Sequence, residues 1–169
     1  PYSRFPSKST IYNQHAEEME TVLQVPLIED LPQGFMAVRK GRRSLSWRAD
    51  RPASLVFAEA LDEGDPENET DFRDEVFLLD PPFNGAPVSL MKTINRYAGI
   101  QWGNDEVAIV TDYWWNSRNT KVYLFNPSYP GQETEILFDL NYQDRYSDPG
   151  NLVTERNHWG RSVISLDKD

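Results

Sequence analysis

The chain has 169 residues and a mass of 19.6 kDa, the size of one ordinary domain, and its 8 Phe, 8 Tyr and 5 Trp residues exclude an intrinsically disordered chain. No apolar run approaches the roughly 20 residues of a membrane helix, and the absence of cysteine excludes disulfides, thiolate metal sites and cysteine nucleophiles. The net charge of −10 disfavours a nucleic-acid partner, because such partners require a basic surface.

Strand-like segments follow one another along the chain, and helical patterns are rare. Twelve prolines and nine glycines interrupt the sequence, and the best helical window, residues 14–24, predicts no more than a single turn. Residues 20–28 resemble a strand. Short β-branched and aromatic runs between turn residues predict further strands at 38–47, 54–61, 75–79, 88–91, 98–102, 107–115, 121–125, 135–140, 152–155 and 162–166. This pattern predicts an all-β fold.

A tandem repeat organises the predicted strands. The pattern W-x-x-D occurs at Trp47 and Asp50 and again, 55 residues later, at Trp102 and Asp105. Each copy lies between two strand-like runs. These four residues are therefore predicted to have a structural role that is repeated in each unit.

The repeat extends beyond the W-x-x-D turns. A V-aromatic-L strand at residues 74–80 is matched 46 residues later at 120–126, and the N-R-Y triplet at 95–97 is matched by D-R-Y at 144–146. The spacing shortens from 55 to 46 residues because the first unit carries an additional acidic loop at 62–75. A unit of about 50 residues with four short antiparallel strands is typical of a β-propeller blade.

We therefore predict a β-propeller fragment of two to three four-stranded antiparallel blades. Residues 1–41 form a lead-in with the last strand of a preceding blade, 42–93 and 96–140 each form a blade, and 141–169 begin a following blade. Propellers close with four to eight blades, so we expect the chain, which begins at Pro1, to be cut from a longer protein. The uncovered faces at both ends predict self-association of the fragment.

The acidic loop at 62–75 accounts for most of the net charge, with eight carboxylates and one arginine. A calcium loop that starts at Asp65 would need glycine and glutamate where Thr70 and Val76 stand. No histidine or cysteine pair has the spacing of a zinc site. We therefore predict a mobile, solvated loop and no metal site.

No catalytic constellation is recognisable in the sequence. The stretch Gly160 to Ser162 lacks the second glycine of a G-x-S-x-G nucleophile elbow, and only His15 and His158 could act as a base. Carboxylate pairs for glycoside hydrolysis are assembled by folding, so an acidic sequence carries no specific signal for them. We predict no catalytic residue and no cofactor in this chain.

A basic cluster precedes the acidic loop. Six cationic residues fall within thirteen positions: Arg39, Lys40, Arg42, Arg43, Arg48 and Arg51. Four of them are candidate substrate contacts, because the planar guanidinium group suits carboxylates: Arg39, Arg42, Arg43 and Arg48. The alternative, which we favour, is that the cluster neutralises the acidic loop or lines the polar channel between the innermost strands.

Two adjacent tryptophans, Trp114 and Trp115, are a second set of candidate ligand contacts. One of them could form a platform for a sugar ring, but neighbouring residues of a strand face opposite sides. Core packing is the interpretation we favour.

Three segments carry a resemblance to a known family: GFMAVRKGRRSLSWRADRPASLVFAEALDEGDP (34–66), RDEVFLLDPPF (73–83) and KTINRYAGIQWGNDEVAIVTDYWW (92–115). They resemble the propeller of glutamyl endopeptidase-type serine peptidases. These peptidases are related to prolyl oligopeptidase and acylaminoacyl peptidase and occur in bacteria and chloroplasts. The opening PYSRFPS and the later YSDPG extend the likeness to nearly the whole chain.

The resemblance implies a longer parent protein in which this propeller is partnered by a C-terminal α/β-hydrolase domain that carries Ser, Asp and His. The propeller would restrict access of peptide substrate and shape the substrate cavity, and this chain alone would be inactive. Two alternatives remain at this point: a separate binding module for glycans or a protein partner, and a hydrolase that uses acidic residues.

Overall fold

The computed structural model describes residues 4–132 and 134–166, and within these ranges the chain forms twelve strands and no α-helix. The prediction of an all-β fold is confirmed. No helix in the described part of the chain is long and apolar enough to cross a membrane. The strands are β1 (Ser7–Tyr12), β2 (Glu18–Val25), β3 (Arg43–Trp47), β4 (Leu55–Ala60), β5 (Asp74–Leu79), β6 (Val88–Thr93), β7 (Arg96–Trp102), β8 (Ala108–Trp114), β9 (Asn119–Phe125), β10 (Glu135–Asn141), β11 (Thr154–Arg156) and β12 (Ser162–Ile164).

Two four-stranded antiparallel sheets form the body of the molecule. The first sheet has the order β3-β4-β5-β6 and the second β7-β8-β9-β10, so each strand pairs with its neighbour in the sequence. Two-stranded hairpins, β1-β2 and β11-β12, flank them in the sequence. Because every pairing joins consecutive strands, the sheets can form from local hairpins without a crossover connection.

Both faces of the first sheet are covered. Successive residues of its central strand β4 point to opposite sides, and the four residues from Leu55 to Ala58 are all buried. Val56 and Ala58 face the second sheet, whereas Leu55 and Phe57 pack with Ile11 of the β1-β2 hairpin. The core between the two sheets contains Val56, Ala58, Val76, Leu78, Leu90, Met91, Tyr97, Trp102, Ala108, Val110, Tyr123 and Phe125. The two sheets are thus stacked through a shared apolar core.

The N-terminal hairpin agrees only in part with the sequence prediction. The window 14–24 forms a turn followed by β2, which overlaps the strand predicted at 20–28, but β1 was not predicted because SKSTIY is mostly polar. The Asn13 side chain accepts hydrogen bonds from the backbone N–H groups of His15 and Glu17, and Ala16 adopts a φ of 60°. An asparagine turn of this kind reverses the chain and directs it into a strand rather than a helix.

The predicted strand at 38–47 begins only at Arg43. Gly41 has a φ of 74° and Ser44 a φ of 55°, which interrupt an extended backbone, and the register of β3 against β4 shifts between Arg43 and Ser46. The described residues form no closed barrel or ring. The assignment of the two sheets as propeller blades therefore stays a prediction.

Candidate functional site

Charged side chains are buried where the two sheets meet, and Arg96 is the centre of the first group. It is the first residue of β7 and is only 3% exposed. Its two terminal nitrogens donate to both carboxylate oxygens of Asp62, at 2.8 and 2.7 Å, and Nη1 also donates to Asp74 at 3.0 Å. Its Nε donates to the carbonyl of Met36 at 2.9 Å. This forked geometry is the strongest form of the arginine–carboxylate contact.

Further contacts complete this group, which we call the Arg96 cluster and define as Arg43, Asp62, Arg73, Asp74 and Arg96. Arg73 Nη1 donates to Asp62 at 3.0 Å, and the backbone N–H of Tyr97 donates to Asp74 at 2.6 Å. The guanidinium group of Arg43 contacts the Asp74 carboxylate. Both aspartates are buried, and a buried carboxylate is stable only when cations and hydrogen bonds compensate its lost hydration.

Glycine is required beside Asp62. Gly64 donates its N–H to the Asp62 carboxylate at 3.0 Å and accepts a hydrogen bond from Val38 N at 3.0 Å. It adopts a φ of 80°, and a side chain there would place its Cβ 2.0 Å from the Val38 carbonyl oxygen. The close approach of these two backbones attaches the segment before β3 to the loop after β4.

The protonation of Asp62 reflects this environment. Burial alone raises the pKa of its carboxyl, but hydrogen bonds from Arg96 and Arg73, the charge of Arg96 and the Gly64 N–H outweigh it and hold the pKa below the usual value. Asp62 is therefore ionised inside the protein.

The acidic loop is not solvated throughout, which corrects the sequence prediction. Asp62 at its start and Asp74 near its end are buried in the Arg96 cluster, whereas residues 67–72 are exposed. The sequence showed many carboxylates in one stretch but not that two of them turn inward. Folding brings Arg96 to them from 34 and 22 residues away.

A second charged group lies at the other end of β3 and β7, where the two W-x-x-D turns meet. We call Arg48, Asp50, Arg51 and Asp105 the Arg48 cluster. Arg48, which is 1% exposed, donates to Asp50 at 3.0 and 2.5 Å and to Asp105 at 3.2 Å. Arg51 donates to Asp105 at 2.6 Å. The guanidinium carbon of Arg48 lies 4.2 Å from the centroid of the buried Trp102 ring.

The Arg48 cluster also attaches the C-terminal hairpin. Arg161, which immediately precedes β12, donates to the carbonyls of Arg48, Arg51 and Pro52 at 3.1, 2.6 and 3.2 Å. Asn157 donates to the Ala49 carbonyl at 2.8 Å. One turn of the first sheet therefore contacts the second sheet and the β11-β12 hairpin.

A buried hydrogen-bond network lies near the Arg96 cluster on the second sheet. Asp112 of β8 is fully buried and accepts hydrogen bonds from the Tyr123 hydroxyl at 2.7 Å, from Asn95 N and Nδ2 at 2.8 and 3.0 Å, and from Lys121 N at 3.0 Å. Burial raises the pKa of Asp112, and these hydrogen bonds offset the rise only in part.

The structure divides the predicted basic cluster into two places. Arg43 belongs to the Arg96 cluster, and Arg48 lies in the Arg48 cluster at the other end of β3. Arg39 and Arg42 are half-buried near Arg43: the Arg39 side chain donates to the Arg42 carbonyl, and Arg42 donates to the Val22 carbonyl at 3.0 Å. Arg43 contacts Asp74 of the acidic loop, as the favoured interpretation predicted, whereas Arg48 pairs with Asp50 and Asp105, which lie outside that loop.

The four repeat residues are not equivalent in the structure. Trp102 is buried under Arg48, whereas Trp47 is 46% exposed and packs edge-on against Phe83 at 5.7 Å. Asp50 pairs within its own turn, but Asp105 pairs with arginines of the other turn.

The adjacent indoles do not pack in the core, contrary to the interpretation that we favoured. Trp114 lies 4.5 Å from the guanidinium carbon of Arg73. Trp115 is 38% exposed and stacks with Phe35 at 4.9 Å between ring centroids, with Arg118 at 4.2 Å from the ring. Both rings cover arginines or surface residues.

Sequence reasoning did not identify Asp62, Asp74, Arg96 or Asp112 as buried ionisable residues. One signal was available, because the N-R-Y triplet at 95–97 was recognised as part of the repeat. Its counterpart at 144–146 lies in an exposed segment, with Tyr146 fully exposed, so the triplet alone does not predict burial.

In the part of the chain that the structure describes, neither the acidic residues nor the histidines form a recognisable metal site. Groups of three or more His, Cys, Asp or Glu residues with the geometry to hold a metal ion are absent from the described residues. His15 and His158 are exposed, and His158 stacks on Trp159 at 3.6 Å between ring centroids.

The fold and its buried charges thus define an all-β module of stacked antiparallel sheets. The chain is 37% identical over 98% of its length to a protein of Oryza sativa subsp. japonica named probable glutamyl endopeptidase, chloroplastic, and 36% identical over 98% to the protein of that name from Arabidopsis thaliana. It spans only 18% and 17% of these two relatives. The chain therefore matches a segment of a larger glutamyl endopeptidase-like protein, and the resemblance inferred from the sequence is confirmed. No family model and no solved structure matches the chain.

Replacing Arg96 by methionine should destabilise the protein strongly. The variant keeps most of the side-chain volume but leaves Asp62 and Asp74 without their shared cation, and breaking a buried ion pair costs about 3–5 kcal/mol. Urea unfolding of the purified chain measures the loss. Arg118→Met removes the same charge from a half-buried position outside the ion pairs of the described residues, and should lower the free energy of unfolding by only about 1 kcal/mol or less. Equal effects of the two substitutions would contradict the structural role of the cluster.

Asp62 should make the stability depend on acidity. Its pKa in the folded chain lies below the unfolded value of about 3.9, so its contribution is present above that pH and is lost as the pH falls through the folded pKa. We expect Asp62→Asn to have a shallower fall in the free energy of unfolding than the wild type below about pH 4. Asp71→Asn, in the exposed part of the same loop, should keep the wild-type slope. Parallel curves for wild type and Asp62→Asn in a series of unfolding experiments would disprove this assignment.

Proposed function

We propose that this chain is a β-propeller segment of a glutamyl endopeptidase-like serine peptidase, and that it is not itself catalytic. The observation that carries the proposal is the identity of 37% over 98% of the chain to a relative of which the chain spans only 18%. A segment of this size leaves room in the parent protein for the α/β-hydrolase domain that the resemblance implies. Peptide substrate and that domain are the proposed partners.

The stacked sheets support the propeller assignment. Each is a four-stranded antiparallel sheet whose strands follow the order of the sequence, and the two share one apolar core. Stacked sheets of this kind are the building units of propellers, in which further blades continue the stack around an axis. The first strands of the two sheets, β3 and β7, would then lie nearest that axis.

The proposed role is to restrict substrate access and to shape the cavity in front of the hydrolase domain. Such a role requires a rigid wall. The Arg96 and Arg48 clusters join the two sheets at both ends of their first strands, and the apolar core fills the space between them. Arg39 and Arg42 precede β3 and Arg43 begins it, so in a propeller these arginines would lie beside the central opening.

A chimaera tests the gating role. Residues 1–169 replace the matching segment of the rice relative, and cleavage after glutamate is measured with a small peptide and with a folded protein. We expect the chimaera to cleave the peptide and the isolated chain to leave it intact. Arg96→Met in the chimaera should raise the rate on the folded protein relative to the peptide, because it loosens the wall, whereas Arg118→Met should leave that ratio unchanged.

Two results would overturn the proposal. Peptide cleavage by the isolated chain that disappears on replacing Ser162 by alanine would place catalysis within the chain. An unchanged ratio of protein to peptide cleavage in the Arg96→Met chimaera would reject gating by this segment.

The isolated chain should also self-associate. The outer strand β10 exposes Ile136 and Phe138 (43% and 37%), and Leu152, which lines the same cleft as Phe138, is 36% exposed. Apolar side chains in such numbers favour a protein contact. Light scattering across a concentration series should show a mass above that of the monomer, and Phe138→Asp should return it toward the monomer while Tyr146→Asp, on an exposed loop, does not. A monomer at every concentration would contradict this expectation.

A further inference from the structure

A concave cleft lies between the N-terminal hairpin and the first sheet, at the end of β3 where the first W-x-x-D turn begins. Its volume is about 490 Å³, within the range of roughly 300–1,000 Å³ that is typical of small-molecule sites. The hairpin contributes Ile11, Tyr12 and Met19 to its lining, and the first sheet with its turns contributes Trp47 and Phe83. Most of the lining is therefore apolar.

Three aromatic side chains line the cleft, and two of them are accessible to solvent. Tyr12 is 58% exposed and Trp47 is 46% exposed, whereas Phe83 is buried and packs edge-on against Trp47. Trp102, which has the same place in the repeat as Trp47, is itself buried. A flat apolar ligand in the cleft would cover aromatic surface that the folded chain leaves in water, and this burial favours binding.

Arg161 supplies the only charge among the described residues that line the cleft. A guanidinium group has five N–H donors, and three of those of Arg161 donate to the carbonyls of Arg48, Arg51 and Pro52. Pro52, which accepts from Nη2, also lines the cleft. In the described part of the chain the Nε–H group and the second N–H group of Nη2 have no acceptor, so a ligand can use both.

The charge of Arg161 has no carboxylate partner among the described residues. The neighbouring Arg48 cluster is balanced by itself, because its two arginines pair with its two aspartates. The carboxylates that flank lining residues in the sequence, those of Glu17, Glu18 and Asp80, accept hydrogen bonds from Asn13, Thr21 and Ser54 at 2.7, 3.2 and 2.5 Å. An anion in the cleft would therefore meet one cation and no carboxylate among the described lining residues.

We propose that this cleft binds a small aromatic carboxylate from solution. The ring of the ligand would lie against Trp47 and Tyr12, and its carboxylate would accept hydrogen bonds from the two remaining N–H groups of Arg161. Apolar walls with a single charged group that fixes the orientation of the ligand are typical of small-molecule sites. The site does not rest on the peptidase assignment, because the ligand is titrated into the isolated chain and no cleavage is measured.

The probe is 3-phenylpropionate, with 3-phenylpropionamide and acetate as matched compounds that lack the charge or the ring. Calorimetry on the intact chain gives the Kd, and nuclear magnetic resonance follows the indole N–H signal of Trp47 and the Nε–H signal of Arg161. We expect saturable shifts of both signals with 3-phenylpropionate. The amide should bind with a Kd about tenfold higher, and acetate should give no saturable shift of the Trp47 signal.

Two substitutions test the two sides of the cleft. Tyr12→Ser should raise the Kd for 3-phenylpropionate about fivefold, and Arg161→Gln should raise it about tenfold or more. The matched controls, Tyr129→Ser at a position that is 60% exposed outside the cleft and Arg118→Gln, should leave the Kd unchanged. Arg161 also holds the C-terminal hairpin, so Tyr12→Ser and the amide decide the question if Arg161→Gln does not fold.

Three results would overturn the site. The first is a Trp47 signal that does not respond to 3-phenylpropionate. The second is an equal Kd for the carboxylate and its amide, which would remove Arg161 from the site. The third is a peptide with a free phenylalanine carboxylate at its end, Ala-Ala-Ala-Phe, that binds at least tenfold more tightly than 3-phenylpropionate, since this would make a peptide terminus the occupant instead of a small molecule.

Discussion

The two-pronged contact of Arg96 with Asp62 is the constraint on which the arrangement of the sheets depends. From the first residue of β7, this side chain reaches the loop after β4, the start of β5 at Asp74 and the carbonyl of Met36. It therefore joins the lead-in segment and both sheets in one buried network. Removing these charges from water is costly, so the network is stable only when all its partners are in place. That requirement favours one relative position of the sheets over the alternatives that an apolar core alone would permit.

The Arg48 cluster supplies the matching restraint at the opposite end. There Arg48 covers Trp102 and pairs with aspartates from both W-x-x-D turns, while Arg161 ties the last hairpin to the same turn. Between these two charged ends lies a continuous apolar core. Dispersion and burial of apolar surface in that core provide most of the free energy that holds the two sheets together. The hydrogen-bonded ion pairs at the two ends fix how the sheets are oriented relative to each other.

Much of the fold could be predicted from the sequence because its strands are local. Alternating apolar residues and turn chemistry gave the strands of both four-stranded sheets, and the repeat of Trp47 and Trp102 gave their number. Strand β1 was not predicted, because most of its residues are polar and it is stabilised by its pairing with β2. The start of β3 was placed too early, since the left-handed backbone at Gly41 is not visible in a hydrophobicity pattern.

The sequence by itself determined an all-β chain with two successive four-stranded units, because hydrophobic period and turn residues act over a few positions. It also placed arginines and acids in adjacent stretches. Only the tertiary structure decided which of them meet: Arg43 and Arg48, five positions apart, went to different clusters, and Arg96 found Asp62 across 34 residues. The physical reason is that an ion pair is specified by where folded strands end in space, and no local pattern records that distance.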